Sequence, residues 1–145
     1  MIRVVLDTNI IVSAYLNEDG QPFRILKLAL AGAIDLYASE PILAEYKELL
    51  QRKSYPMDSR RAALLLKKIR AASTLVKPGI KLSETSDPDD NIFLECAQAA
   101  KAEYLVTGNL RHFPTRWKYT RIVLPRRFIE IWGEWRLQSR RPDRS

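Results

Sequence analysis

Four oxygen-bearing side chains, Asp7, Glu45, Asp90 and Asn109, fall where an α/β chain does its chemistry. Asp7 closes the run Ile2-Arg3-Val4-Val5-Leu6. An apolar, non-alternating run of this kind reads as a buried strand of a parallel sheet. The carboxyl ends of such strands open into the ligand crevice. Asp7 therefore stands at that edge, with Thr8 and Asn9 turning the chain into the next helix. Its plain role is to cap that helix. Glu45 belongs to a helix opened by Ser39-Glu40-Pro41, with Ser39 as N-cap. The apolar face of that helix is Ile42, Leu43, Tyr46, Leu49 and Leu50. At ~100° per residue, Glu45 lies about 100° from the centre of the face and Glu48 about 160° away. Glu48 points to solvent and Glu45 borders the core.

Asp90 sits in Ser86-Asp87-Pro88-Asp89-Asp90-Asn91. Asp87 is the natural N-cap of a helix running to residue 101, and Pro88 takes the first helical position. The helix dipole favours an acid there by about 0.3–1 kcal/mol each, which accounts for one or two of the three. Acids packed so closely repel one another unless a cation or a basic partner relieves them. Asp90 also continues the apolar ladder of Phe93 and Ala97, so it faces inward, where an unpaired carboxylate is costly. Asn109 follows the apolar run over 103–107. An oxygen-rich cluster of this type suits Mg²⁺ or Mn²⁺, which lowers the pKa of a bound water and orients it toward a phosphodiester. The single Cys96 excludes an internal disulfide and a cysteine zinc site. The single His112 has no second histidine to share a metal and reads as a hydrogen-bonding loop residue.

The elements that must position these groups alternate. Strands are expected over 2–6, 34–38, 74–76, 103–107 and 121–124. Helices are expected over 10–16, 22–31, 40–50, 59–72, 88–101 and 125–135. This alternation argues an α/β fold, a three-layer sandwich with a five-stranded parallel sheet. The chain has 145 residues, 46% apolar and 28% charged, which fits one domain over 1–135 and a basic, disordered tail over 136–145. No apolar run reaches the roughly 20 residues needed to span a bilayer. The N-terminus does not fit a signal peptide, and a cytoplasmic protein is expected. The net charge is +7, of which the tail carries +3. A basic body around a few acids suits a polyanion such as RNA. The densest basic region outside the tail spans Arg52, Lys53, Arg60, Arg61, Lys67, Lys68 and Arg70. No P-loop, GxGxxG or serine elbow is present.

Four stretches together resemble the PIN domain family: Val-Leu-Asp-Thr-Asn at 5–9, Ser-Glu-Pro-Ile-Leu-Ala-Glu-Tyr at 39–46, Asp-Pro-Asp-Asp-Asn-Ile-Phe-Leu-Glu-Cys-Ala at 87–97 and Tyr-Leu-Val-Thr-Gly-Asn at 104–109. They are most similar to its branch of bacterial toxin–antitoxin ribonucleases, and the likeness spans residues 2–124. The resemblance implies that Asp7, Glu45 and Asp90 are metal-site acids and that Thr8, Asn9 and Thr107 support them. Asn109 stands where the family often has a fourth acid, so a second metal is in question, with Asp87 or Asp89 as substitutes. The resemblance also implies a Mg²⁺- or Mn²⁺-dependent ribonuclease, a homodimer and an antitoxin protein partner. The rival expectations are an RNA-processing nuclease without an antitoxin, an RNA-binding domain with weakened catalysis, and, last, a haloacid-dehalogenase-type phosphatase. That phosphatase chemistry wants an acid where Asn9 stands.

Overall fold

A computed structural model describes residues 1–52, 58–82 and 87–139. Its first strand is β1 (Arg3–Leu6), in which Val4, Val5 and Leu6 are wholly buried. Helix α1 (Thr8–Leu16) follows at once, capped by the Asp7 side chain. Helix α2 (Gln21–Leu30) ends where Gly32 takes φ 75°, the left-handed conformation that glycine adopts without a Cβ clash. There Gly32 N–H donates to Ala29 O and Ala33 N–H to Leu28 O, a Schellman ending. Strand β2 (Asp35–Ala38) leads into α3 (Glu40–Leu50), capped by Ser39 Oγ. Helix α4 (Ser59–Ala72) is capped by Asp58, as its sequence signals, and runs into β3 (Thr74–Leu75). Helix α5 (Pro88–Ala100) is capped by Asp87 and precedes β4 (Tyr104–Val106). A 3-10 turn (Leu110–His112) precedes β5 (Arg116–Trp117), β6 (Thr120–Val123) and α6 (Pro125–Ser139).

Among the described residues the sheet has six strands in the order β3-β2-β1-β4-β6-β5. The five expected strands are all present and mutually parallel. The sheet is nevertheless mixed, because β5 joins the edge antiparallel to β6. This corrects the five-stranded, all-parallel expectation. The added strand is two residues long, and its turn places Lys118 at φ 53°. Neither a period-two pattern nor an Asn-Gly turn announces it. Trp117 holds it down by donating from Nε1 to Gln98 Oε1 at 3.1 Å.

The sheet is flanked by helices, with α5 against β1, β2 and β4, and α6 against β4 and α2. Phe128 of α6 is fully buried, and Trp132 and Trp135 pack on the core. The helix runs past Trp135 to Ser139, so residues 136–139, expected in the disordered tail, are helical; residues 140–145 lie outside the described ones. Among the described residues no helix is long and apolar enough to cross a membrane.

β1 lies between β2 and β4, and the strand order reverses across β1 and β4. Such a reversal leaves a crevice outside the carboxyl ends of the two strands. Leu6 and Val106 are register partners, so the next residues, Asp7 and Thr107, are both delivered to the crevice. Tyr46 ties α3 to the same edge: its wholly buried hydroxyl donates to the Leu6 carbonyl. Replacing Tyr46 by Phe leaves that carbonyl without this donor. The expected loss is about 1–3 kcal/mol of stability, read as a lower urea midpoint at unchanged m-value.

Candidate active site

Asp7 is the centre of the crevice and only 5% exposed. Thr8 N–H donates to its Oδ1 at 2.7 Å, which is the helix cap expected from the sequence. Its Oδ2 accepts from the Thr107 hydroxyl at 2.7 Å and from Asn9 Nδ2 at 3.1 Å. Capping and site-building are thus one arrangement. Thr107 Oγ1 gives its proton to Asp7 and accepts from Asn109 N–H at 3.0 Å and, more weakly, from Asn9 Nδ2 at 3.5 Å. That uses the single donor and both lone pairs of a hydroxyl. Asn9 Oδ1 in turn accepts from Gly108 N–H at 3.0 Å. A Cβ at Gly108 would stand 3.4 Å from that Oδ1, in van der Waals contact with it.

Asp7, Thr8, Asn9, Glu45, Asp90 and His112 line one cavity of about 400 Å³, closed on its other side by Val12, Ser13, Leu16 and Leu49. The structure therefore brings Asp7, Glu45 and Asp90 together, from β1, α3 and α5. Asp90 faces inward, its side chain 15% exposed, as the ladder with the fully buried Phe93 and Ala97 implies. Asn109 does not line the cavity. It caps the 3-10 turn through Oδ1, which accepts from Arg111 N–H, and its Nδ2 meets His112 Nε2 at 2.9 Å. Asp87 and Asp89 are exposed at the start of α5, and Asp87 accepts from Asp89 N–H. The sequence missed His112 as a wall of the site, although it is the hydrogen-bonding loop residue expected. The available signal was the spacing of Asn109 and His112, which eclipse one another across a 3-10 turn.

The electrostatics of the three carboxylates point one way. Burial raises the pKa of Asp7, against the opposing hydrogen bonds from Thr107 and Thr8. Burial also lifts Glu45, to about 7; the neighbouring Thr8 hydroxyl lowers it, and the charges of Asp7, Asp89 and Asp90 raise it further. Asp90 rises to about 6 through burial and the Asp7 charge, with His112 pulling the other way. Thr8 Oγ1 and Glu45 Oε2 are buried and close no hydrogen bond of ordinary geometry.

Among the described residues, no group of three or more His, Cys, Asp or Glu side chains is gathered tightly enough to hold a metal ion as it stands. The donor set nevertheless fits a hard divalent cation. Three carboxylates share one cavity, the buried Glu45 Oε2 has only the Thr8 hydroxyl beside it, and burial, with the neighbouring carboxylate charges adding to it, raises Glu45 and Asp90. The basic region on α4 is partly paired. Arg61 meets Glu18, Arg70 meets Glu40 and Arg52 meets Glu48, all exposed pairs of the kind that contribute little.

Residues 3–111 match the family model described as PIN domain. The chain is also 33% identical over 111 residues to the uncharacterized protein MJ1680 of Methanocaldococcus jannaschii, covering 74% of this chain and 71% of that protein.

The raised carboxylates set a pH dependence. A folded-state pKa above the unfolded one means that the folded protein binds more protons in between, so stability falls as pH rises through that window. With Glu45 at about 7 and Asp90 at about 6, the metal-free protein is expected to lose stability from about pH 4.5 to pH 7.5. Glu45→Gln removes one charge and flattens the slope. At pH 8 without metal its Tm is expected to exceed the wild type's by a few degrees, about 4 °C corresponding to roughly 1 kcal/mol at this chain length. Thermal unfolding across pH in EDTA reads this directly.

Proposed function

We propose, from the premise that this chain belongs to the PIN domain family, that it is a divalent-metal-dependent endoribonuclease. PIN domains are generally nucleases and generally use divalent metals. The observation that carries the reading is the convergence of Asp7, Glu45 and Asp90 on one cavity at the strand-order reversal. Asp7 and Asp90 would hold Mg²⁺ or Mn²⁺, and Glu45 would bind it or position the attacking water. A bound cation would supply Lewis-acid polarisation of the phosphodiester and a lowered pKa for water.

The chain's own residues do the rest. Thr107, Asn9 and Thr8 N–H hold Asp7 in one orientation, so its carboxylate needs little reorganisation when charge develops. In the metal-free site burial lifts Glu45 to about 7; a bound cation would lower it and leave the carboxylate charged, free to bind the ion or to accept a hydrogen bond from the attacking water. The net charge of +7 favours a polyanionic partner for the chain as a whole. Similarity of the four motif stretches to toxin ribonucleases supports a role in a toxin–antitoxin pair, in the cytoplasm, with an antitoxin protein and a second copy of the chain as partners.

A second reading is supported by Asn109. Its side chain turns to His112 and not into the cavity, so a site holding fewer ligands could bind RNA while cutting it slowly.

Wild-type protein with Mn²⁺ or Mg²⁺ should cleave a mixed single-stranded RNA panel. Asp7→Asn should cut at least 100-fold more slowly while keeping its far-UV spectrum, the order of loss expected when a metal-site group is removed. EDTA should abolish cleavage. Asp7→Asn as active as wild type would remove the site assignment, and salt-sensitive binding without cleavage by the wild type would favour the second reading.

A further inference from the structure

Behind Asp90 runs a chain of contacts from Thr107 through Asn109 to His112. Asn109 N–H donates to Thr107 Oγ1 at 3.0 Å, and Asn109 Oδ1 accepts from Arg111 N–H at 3.3 Å. The second bond fixes which way the amide faces, and the first anchors its backbone to the Asp7 network. Its Nδ2, a donor only, therefore meets His112 Nε2 at 2.9 Å. A ring nitrogen facing a donor must be the one without hydrogen. The neutral ring then carries its proton on Nδ1, and Nδ1 faces Asp90 Oδ2 at 3.5 Å, a polar contact longer than an ordinary hydrogen bond. His112 and Asp90 both line the cavity, and the His112 side chain is half exposed.

We infer that Asn109 and His112 are positioning residues: Asn109 sets the Nδ1–H tautomer of His112, and His112 holds Oδ2 of Asp90, leaving Oδ1 for the cation. This deepens the nuclease reading and rests on it for the cation. It assigns to Asn109 a place outside the ligand set, because its amide is already engaged on both sides. An acid at 109 would face Nε2 with an acceptor and pull the proton to that side, turning the ring's free nitrogen toward the Asp90 carboxylate. Hydrogen bonds of this outer kind fix the orientation of ligating groups, and their loss typically lowers metal affinity 10–100-fold.

The chain's single histidine makes the tautomer directly readable. In two-bond proton–nitrogen NMR correlation of the uniformly labelled, metal-free full chain at pH 8, wild type should show Nδ1 protonated and Nε2 free. Asn109→Asp should shift the population toward Nε2–H. A wild-type ring protonated on Nε2, or an unchanged spectrum in Asn109→Asp, overturns the Asn109 part. Mn²⁺ affinity by electron paramagnetic resonance then tests the Asp90 part. His112→Ala should bind Mn²⁺ about tenfold more weakly or worse. His112→Asn, which keeps an N–H donor near the Nδ1 position, should recover most of the loss. Metal-free thermal unfolding of each variant separates this from a fold defect. Equal Mn²⁺ affinity in wild type and His112→Ala overturns the positioning role with the nuclease reading intact. A wild type that binds no Mn²⁺ overturns the Asp90 part and the metal-dependent reading together, and leaves the tautomer result to decide the Asn109 part.

Discussion

The hydrogen bond from the Thr107 hydroxyl to the Asp7 carboxylate, 2.7 Å long and spanning 100 residues of chain, is what the crevice depends on. It joins the residues just past β1 and β4, the two strands between which the strand order reverses. Without it, and without Asn9 and Thr8 N–H, a carboxylate 5% exposed would be a buried group short of partners. With them, burial still wins and the pKa of Asp7 rises. The fold therefore holds Asp7 rigidly in a place that does not favour its charge. That arrangement suits the divalent cation proposed for the crevice.

Each neighbouring element adds to the same imbalance. Tyr46 fastens α3 to Leu6, which sets Glu45, one residue earlier, over the crevice. Asp87 starts α5 so that Asp90 falls inward on the ladder with Phe93 and Ala97. Glu45 is driven to about 7 and Asp90 to about 6 by their burial and by the acids around them. A structural ion-pair network would answer such acids with Lys or Arg. Among the described residues the cavity lining includes no lysine or arginine, and Arg61 and Arg70 of α4 meet surface glutamates.

What the sequence disclosed follows from the range of the forces involved. Helix period and capping are local, so residue spacing alone gives Asp7, Glu45 and Asp90 their directions, and the caps Ser39, Asp58 and Asp87 stand where expected. The alternation of elements disclosed the α/β fold. The hydrogen-bond pattern was not legible. Nothing local distinguishes Thr107 as the donor to Asp7, or gives Tyr46, which reads as one more apolar residue of α3, a carbonyl partner. The strand β5 escaped because two residues carry no period. Asn109 stood in the expected stretch, yet only the 3-10 turn shows that it faces His112.

The most direct test of the central claim is diffraction from crystals grown with Mn²⁺, collected for the anomalous signal of the metal. The account predicts an anomalous peak inside the cavity bounded by Asp7, Glu45 and Asp90, with Asp7 still accepting from Thr107 and Asn109 still turned to His112. Saturating Mn²⁺ with no peak there, or a peak only at surface carboxylates such as Glu18 and Glu40, would contradict it.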